Sequence, residues 1–194
     1  MKPHESAILL FAMALSPLPA VAQARITVTL FDRAGLHAGV RETMKKESTR
    51  IFREVGIQLE WLDCETAGQP SAECLRPLGA NRLRMELLAG GDKKSPTLTG
   101  MAFVQHGPSV LAAVYPDRVR KLAENASWEF GELLGHAAAH EIGHLLLRST
   151  RHSPAGIMRA SWEIKDLRLL SHSGLVFLPG QLKRAIQAAA ASEE

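Results

Sequence analysis

Tyrosine occurs once in the 194 residues, cysteine only twice, and aromatic side chains make up just 5%. A nucleic-acid-binding module usually concentrates basic residues and stacking aromatics on one surface, and neither concentration is present, so no nucleic-acid partner is expected. Charge of one sign is also scarce, since 23 basic and 20 acidic side chains leave a net +3. The densest basic cluster, Arg41, Lys45, Lys46 and Arg50, reads as one solvated helix face. No apolar run reaches the roughly 20 residues that cross a bilayer, which argues against a stable membrane anchor. Internal repeats are absent too. The 46% apolar and 22% charged fractions exclude a disordered or fibrous chain. A mass of 21.1 kDa is one domain's worth of material.

The amino terminus is what stands out first. Lys2 supplies a basic start, residues 7–15 form a short apolar run, and Ala22-Gln23-Ala24 has the small-residue pattern of a cleavage site. Residues 1–24 therefore read as a signal peptide, predicting a secreted or periplasmic protein in which 25–194 form a single domain. The two cysteines fit that address. Cys64 and Cys74 flank a polar segment holding Gly68 and Pro70, and an oxidising compartment favours a disulfide between them. Their spacing is not that of a CxxC metal or redox site.

Hydrophobic periodicity outlines the elements. Ile26, Val28 and Leu30 alternate with polar neighbours, as do Ile57, Leu59 and Trp61, and again Leu83, Met85 and Leu87, predicting three strands. Between the first two, Val40, Met44, Ile51, Phe52 and Val55 recur at helical spacing, with Gly56 as a stop. Residues 98–105 and 110–115 are two further apolar runs. Asp117 is expected to cap a short helix, Ser127 a long one through about Leu147, and Ser161 another to about Leu170. Pro179 opens a last helix, with Leu182, Ala185, Ile186 and Ala189 inward. The order predicts an α/β (α+β) domain: a mixed twisted sheet, a long central helix and C-terminal helices.

The chemistry concentrates in one stretch. His140-Glu141-Ile142-Gly143-His144 is an H-E-x-x-H motif. On a helix, residues four apart share a face, so two imidazoles can hold one zinc ion while the adjacent Glu141 deprotonates a bound water. Two histidines are too few for a catalytic site, and a third ligand must come from further along. His152-Ser153 follows, and then Gly156-Ile157-Met158. At this point the chain resembles the metzincin clan of zinc metallopeptidases, nearest to matrixin-like and archaemetzincin-like members and to small secreted bacterial proteins of this type. The resemblance implies His140, His144 and His152 as ligands of one catalytic Zn2+, Glu141 as general base, and Met158 in a turn beneath the metal. It also implies that residues 98–105 resemble the edge strand along which such enzymes bind extended peptides.

The chain departs from the clan pattern H-E-x-x-H-x-x-G-x-x-H. That pattern places Gly at 147 and His at 150, where this sequence has Leu147 and Thr150. His152 comes two residues late, and Arg148, Ser149, Thr150 and Arg151 must form the turn. Two competing ligands stand beside it. His136 lies four residues before His140, but three successive turns of a straight helix cannot easily surround one ion, so a core histidine is expected there. Glu163, 19 residues after His144, matches only loosely a downstream helical glutamate ligand. His37, His106 and His172 lack metal-like spacing and are expected on the surface. Many relatives use a tyrosine just past the Met-turn, but the only tyrosine here is Tyr115. The sequence thus points to a secreted zinc metalloendopeptidase acting on a peptide or protein substrate; the alternative is a non-catalytic or weakly active zinc-binding or partner-binding module with the same fold.

Overall fold

The computed structural model describes residues 24–64, 70–79, 81–90, 98–104, 110–169, 175–183 and 186. The expected signal segment before Ala24 lies outside the described residues, as do His106, His172, Ala185 and Ala189.

Five strands form one sheet in the order β2-β1-β3-β5-β4. They are β1 (Ala24–Asp32), β2 (Ile57–Cys64), β3 (Arg82–Leu87), β4 (Gly100–Phe103) and β5 (Leu111–Val114). β1 pairs in parallel with β2 and with β3, and β3 in parallel with β5. β4 runs antiparallel to β5 and forms an edge. The architecture is the mixed α/β arrangement that the sequence predicts. The cleavage expected after Ala24 falls one residue inside β1, where Ala24 is buried and pairs with Ile57.

Alternation in β1 sends Ile26, Val28 and Leu30 into the main core, together with Leu59, Leu83 and Met85 of neighbouring strands. Helix α1 (Ala38–Arg53) covers this side with Met44, Ile51 and Phe52. The chain turns from β1 into α1 around Asp32, whose carboxylate accepts hydrogen bonds from the backbone N–H groups of Ala34, Gly35 and Leu36 at 2.8–3.0 Å. His37, exposed as expected, caps α1 by accepting from Gly39 N–H through Nδ1.

Helix α3 (Phe130–Leu147) packs on α1 and is buried on every side from Leu133 to Leu145. A helix so enclosed must be apolar nearly all round, so its histidines are conspicuous exceptions. The two helices approach closely at Gly135, where a β-carbon would stand 2.8 Å from Met44 O. Helix α2 (Pro116–Ala126) precedes α3, and α4 (Ile164–Leu169) follows it.

The expected capping residues fall in different places. Tyr115 holds the N-cap position of α2, with Pro116 at the first helical position and Asp117 inside the first turn. Ser127 does not open α3; it ends α2 in the left-handed region at φ 59°. The opening of α3 belongs to Glu129, whose carboxylate accepts from Glu132 N–H at 2.6 Å. α4 begins at Ile164, three residues beyond Ser161. After Pro179 the chain first turns at Gly180, and Lys183 and Ile186 are helical.

A smaller cluster lies on the other face of β1, where Phe31 packs with Cys64, Cys74 and Leu62. Cys64 ends β2, Cys74 sits in the 3-10 turn Glu73–Leu75, and their sulfurs are bonded as the sequence predicts. The bridge ties that turn to the sheet, assisted by Arg82, which donates to Glu73 Oε1 at 3.1 Å. Replacing both cysteines by serine should cost about 3 kcal/mol in denaturant unfolding. An unchanged midpoint would show that the bridge leaves folding unaffected.

Candidate metal centre

His140 and His144 lie one turn apart on α3, and His152 reaches them from the loop after it. The available ring nitrogens of the three lie within 4.8 Å of one another. His140 Nε2 and His144 Nε2 are 3.0 Å apart. The His152 ring stands perpendicular to that of His144, with centroids 4.8 Å apart.

The opposite nitrogens fix the tautomers. His140 Nδ1 is 2.7 Å from Ile157 O, and His144 Nδ1 is 2.7 Å from Ser149 O. A carbonyl can only accept, so each Nδ1 carries a proton and each neutral ring turns a lone pair outward from Nε2. Two acceptors at 3.0 Å repel unless a cation lies between them. Burial works against a proton in that role, pulling His140 down to about 4 against the help of its bond to Ile157 O, with His144 and His152 adding to the depression. His144 is lowered for the same leading reason. A metal ion fits the donor set: two nitrogens on a tetrahedral zinc stand roughly 3.3 Å apart at bond lengths of about 2.0–2.1 Å. Backbone carbonyls holding the remote ring nitrogens are the usual support for metal-binding imidazoles.

The turn that places His152 is built without glycine. Arg148 adopts φ 48°, ψ 45°, its N–H bonded to Leu145 O and that of Ser149 to His144 O, both at 3.2 Å. This is a Schellman closure with arginine in the left-handed position. Ser149 thus returns its N–H to the His144 backbone and its carbonyl to the His144 ring. The left-handed residue comes one place later than position 147, and His152 two places later than 150, so the added residues lie one before the reversal and one after it. Arg148 and Arg151 are both exposed.

The loop from 153 to 159 closes beneath the histidines. Ser153 N–H donates to Met158 O at 2.8 Å, and Ile157 N–H to Val176 O at 2.9 Å, which aims the Ile157 carbonyl at His140. Met158 is buried against α3: a β-carbon on Gly143 would stand 2.6 Å from its sulfur. Trp162 meets the His140 ring edge-on at 5.7 Å, and its indole Nε1 is buried with no acceptor among the described residues.

Glu141 is 5% exposed, and burial raises its carboxyl to about 8. No hydrogen bond or ion pair to a described residue holds it. A dication nearby acts in the opposite sense, favouring the carboxylate.

The competing ligands lie apart from this cluster. His136 Nδ1 donates to Glu132 O at 2.9 Å, and Trp128 meets the ring edge-on. Its Nε2 is 3.5 Å from Glu47 Oε1, close enough for an ion pair but without hydrogen-bond geometry, and burial lowers its pKa. His136 is therefore a core histidine, as expected. Glu163 is half-exposed and pairs with Arg159 and Lys165. Tyr115 lies at the start of α2 beneath the Arg118 guanidinium. Sequence reasoning missed the two carbonyls that orient the ligands, because a backbone group leaves no residue signature.

No protein-family model matches the chain, and no curated protein is similar to it in sequence. Its fold is shared with solved structures. An archaemetzincin from Methanopyrus kandleri superposes with a TM-score of 0.50 at 14% identity, covering 89% of this chain and 99% of its own. Metalloproteinase-II from Bacteroides fragilis gives a TM-score of 0.52 at 14% identity over 89% of this chain. This chain spans 55% of that second protein. The α/β sheet with its helices is thus the archaemetzincin-like fold, and it carries a three-histidine cluster.

Two substitutions test the support of the cluster. Arg148→Gly relieves the left-handed backbone and should stabilise the protein by about 0.5–1 kcal/mol. Gly143→Ala overpacks the Met158 contact and should destabilise it by about 1–3 kcal/mol. Thermal melting reads both, and opposite signs would contradict the assigned turn and contact.

Proposed function

We propose that the protein is a secreted zinc-dependent metalloendopeptidase. The observation that carries this reading is the pair of neutral imidazoles whose Nε2 atoms face each other at 3.0 Å, with His152 beside them and Glu141 next in sequence to His140. The shared fold of two structures described as an archaemetzincin and a metalloproteinase supports it. The disulfide supports an oxidising destination, and no helix among the described residues is long and apolar enough to cross a membrane.

His140, His144 and His152 would hold the ion, leaving a coordination position open. When bound, zinc supplies a Lewis acid for the scissile carbonyl and lowers the pKa of its water towards about 7. Glu141 takes a proton from the attacking water and delivers it to the leaving nitrogen; the C–O bond forms as the carbonyl π bond opens, and the C–N bond breaks as that π bond re-forms. Ile157 and Ser149 keep the histidines in the tautomer that presents Nε2. Met158 supports the helix turn from beneath. β4 offers its outer edge, unpaired among the described residues, to an extended peptide, a mode in which backbone groups provide affinity across many sequences. No tyrosine follows Met158, so the reaction proceeds without a phenol there.

The test is hydrolysis of a mixed peptide library by wild type and Glu141→Gln, with bound zinc measured in both. Wild type should cleave and lose activity to a chelator. Glu141→Gln should keep its zinc and lose turnover on the order of 100-fold or more. Undiminished cleavage by the variant would contradict the role of Glu141. Zinc without cleavage in wild type would instead support the non-catalytic module.

A further inference from the structure

We propose that Gly100, on the edge strand β4, is the positioning residue for Glu141. A β-carbon at Gly100 would stand 2.6 Å from Glu141 Oε1, 2.7 Å from Cγ and 2.8 Å from Cδ. Those are its three nearest atoms, and all belong to one side chain. The Glu141 carboxyl therefore rests on bare backbone of β4, in a gap that only glycine leaves open. Among the described residues, packing alone restrains it. One side is closed by α3, on which it is carried, and the other by β4 at Gly100. A methyl group on that wall forces the side chain into another rotamer, since Cγ as well as the terminal oxygen would collide.

The arrangement gives β4 a second task. The strand proposed to align a peptide also sets how far the general base projects towards it. The β4 backbone thereby fixes the distance between base and scissile bond. A carboxylate displaced by about 1 Å can lose on the order of 100-fold in rate while substrate binding elsewhere is unaffected.

The catalytic half of this inference rests on the proposed hydrolysis; the contact itself does not. The experiment is a thermodynamic cycle on the metal-free protein, comparing wild type, Gly100→Ala, Glu141→Ala and the double variant by thermal melting. Gly79→Ala serves as a control, since a β-carbon there would meet nothing within 4 Å. In the wild-type background, Gly100→Ala should lower Tm by much more than Gly79→Ala does. In Glu141→Ala the same change should cost little, because the methyl enters the vacated space. Equal costs in both backgrounds would overturn the contact. If Gly100→Ala alone fails to fold, the double variant must fold, and failure of both would overturn it as well.

The second readout is kinetic. Gly100→Ala loaded with zinc should show kcat reduced about 100-fold, with KM and zinc affinity unchanged. A wild-type kcat, or a loss confined to KM, would overturn the positioning role. Should the wild type prove to have no peptidase activity, the melting cycle would still report the contact, so the two readings fail separately.

Discussion

Two imidazole nitrogens held 3.0 Å apart, each unable to donate to the other, form the constraint around which the second half of the chain is organised. Both rings are fixed from behind by carbonyl oxygens. Neither can flip without leaving a buried N–H unpaired, at a cost of about 1–3 kcal/mol. Those carbonyls depend on separate devices: the left-handed reversal at Arg148 for one, and the loop closed by Ser153, Met158 and Val176 for the other. Two lone pairs fixed so close together, with a third imidazole beside them, are a donor set that suits a cation.

The same constraint explains how an unusual spacing is accommodated. A third histidine must return to the helix face it left, and the number of residues used is free as long as the helix end is closed. Arginine in the left-handed position closes it at a cost of about 1–2 kcal/mol relative to ordinary backbone. The closure also serves the site directly, because Ser149 bonds His144 through both its N–H and its carbonyl. The burial that depresses His140 and His144 raises Glu141, and each shift follows from taking a charged form out of water.

Much of this was legible in the sequence, and what was hidden has physical reasons. β1, α1, β2 and β3 follow from apolar periodicity, since each turns a regularly spaced apolar row into the main core. His140, Glu141 and His144 are legible because an i, i+4 pair with an intervening acid is a compact signal on a helix. Ser127 misled because serine caps helices well, yet the chain leaves α2 there with positive φ, and a carboxylate two residues later takes the capping role. The antiparallel placement of β4 at the edge depends on pairing between distant segments, which periodicity does not encode. Gly100 carries no chemistry of its own; its significance appears only when Glu141 is seen against it. His136 shows the converse, a histidine at ligand spacing whose partners are a backbone carbonyl, an indole and a glutamate of α1.

The central claim is that the three histidines together bind one metal ion. It is tested most directly by zinc stoichiometry and affinity for purified wild type and His152→Ala side by side. The account predicts about one zinc per wild-type chain, with binding lost or greatly weakened in the variant. Equal zinc content and affinity in the two proteins would contradict it, as would a wild-type protein that binds none after reconstitution.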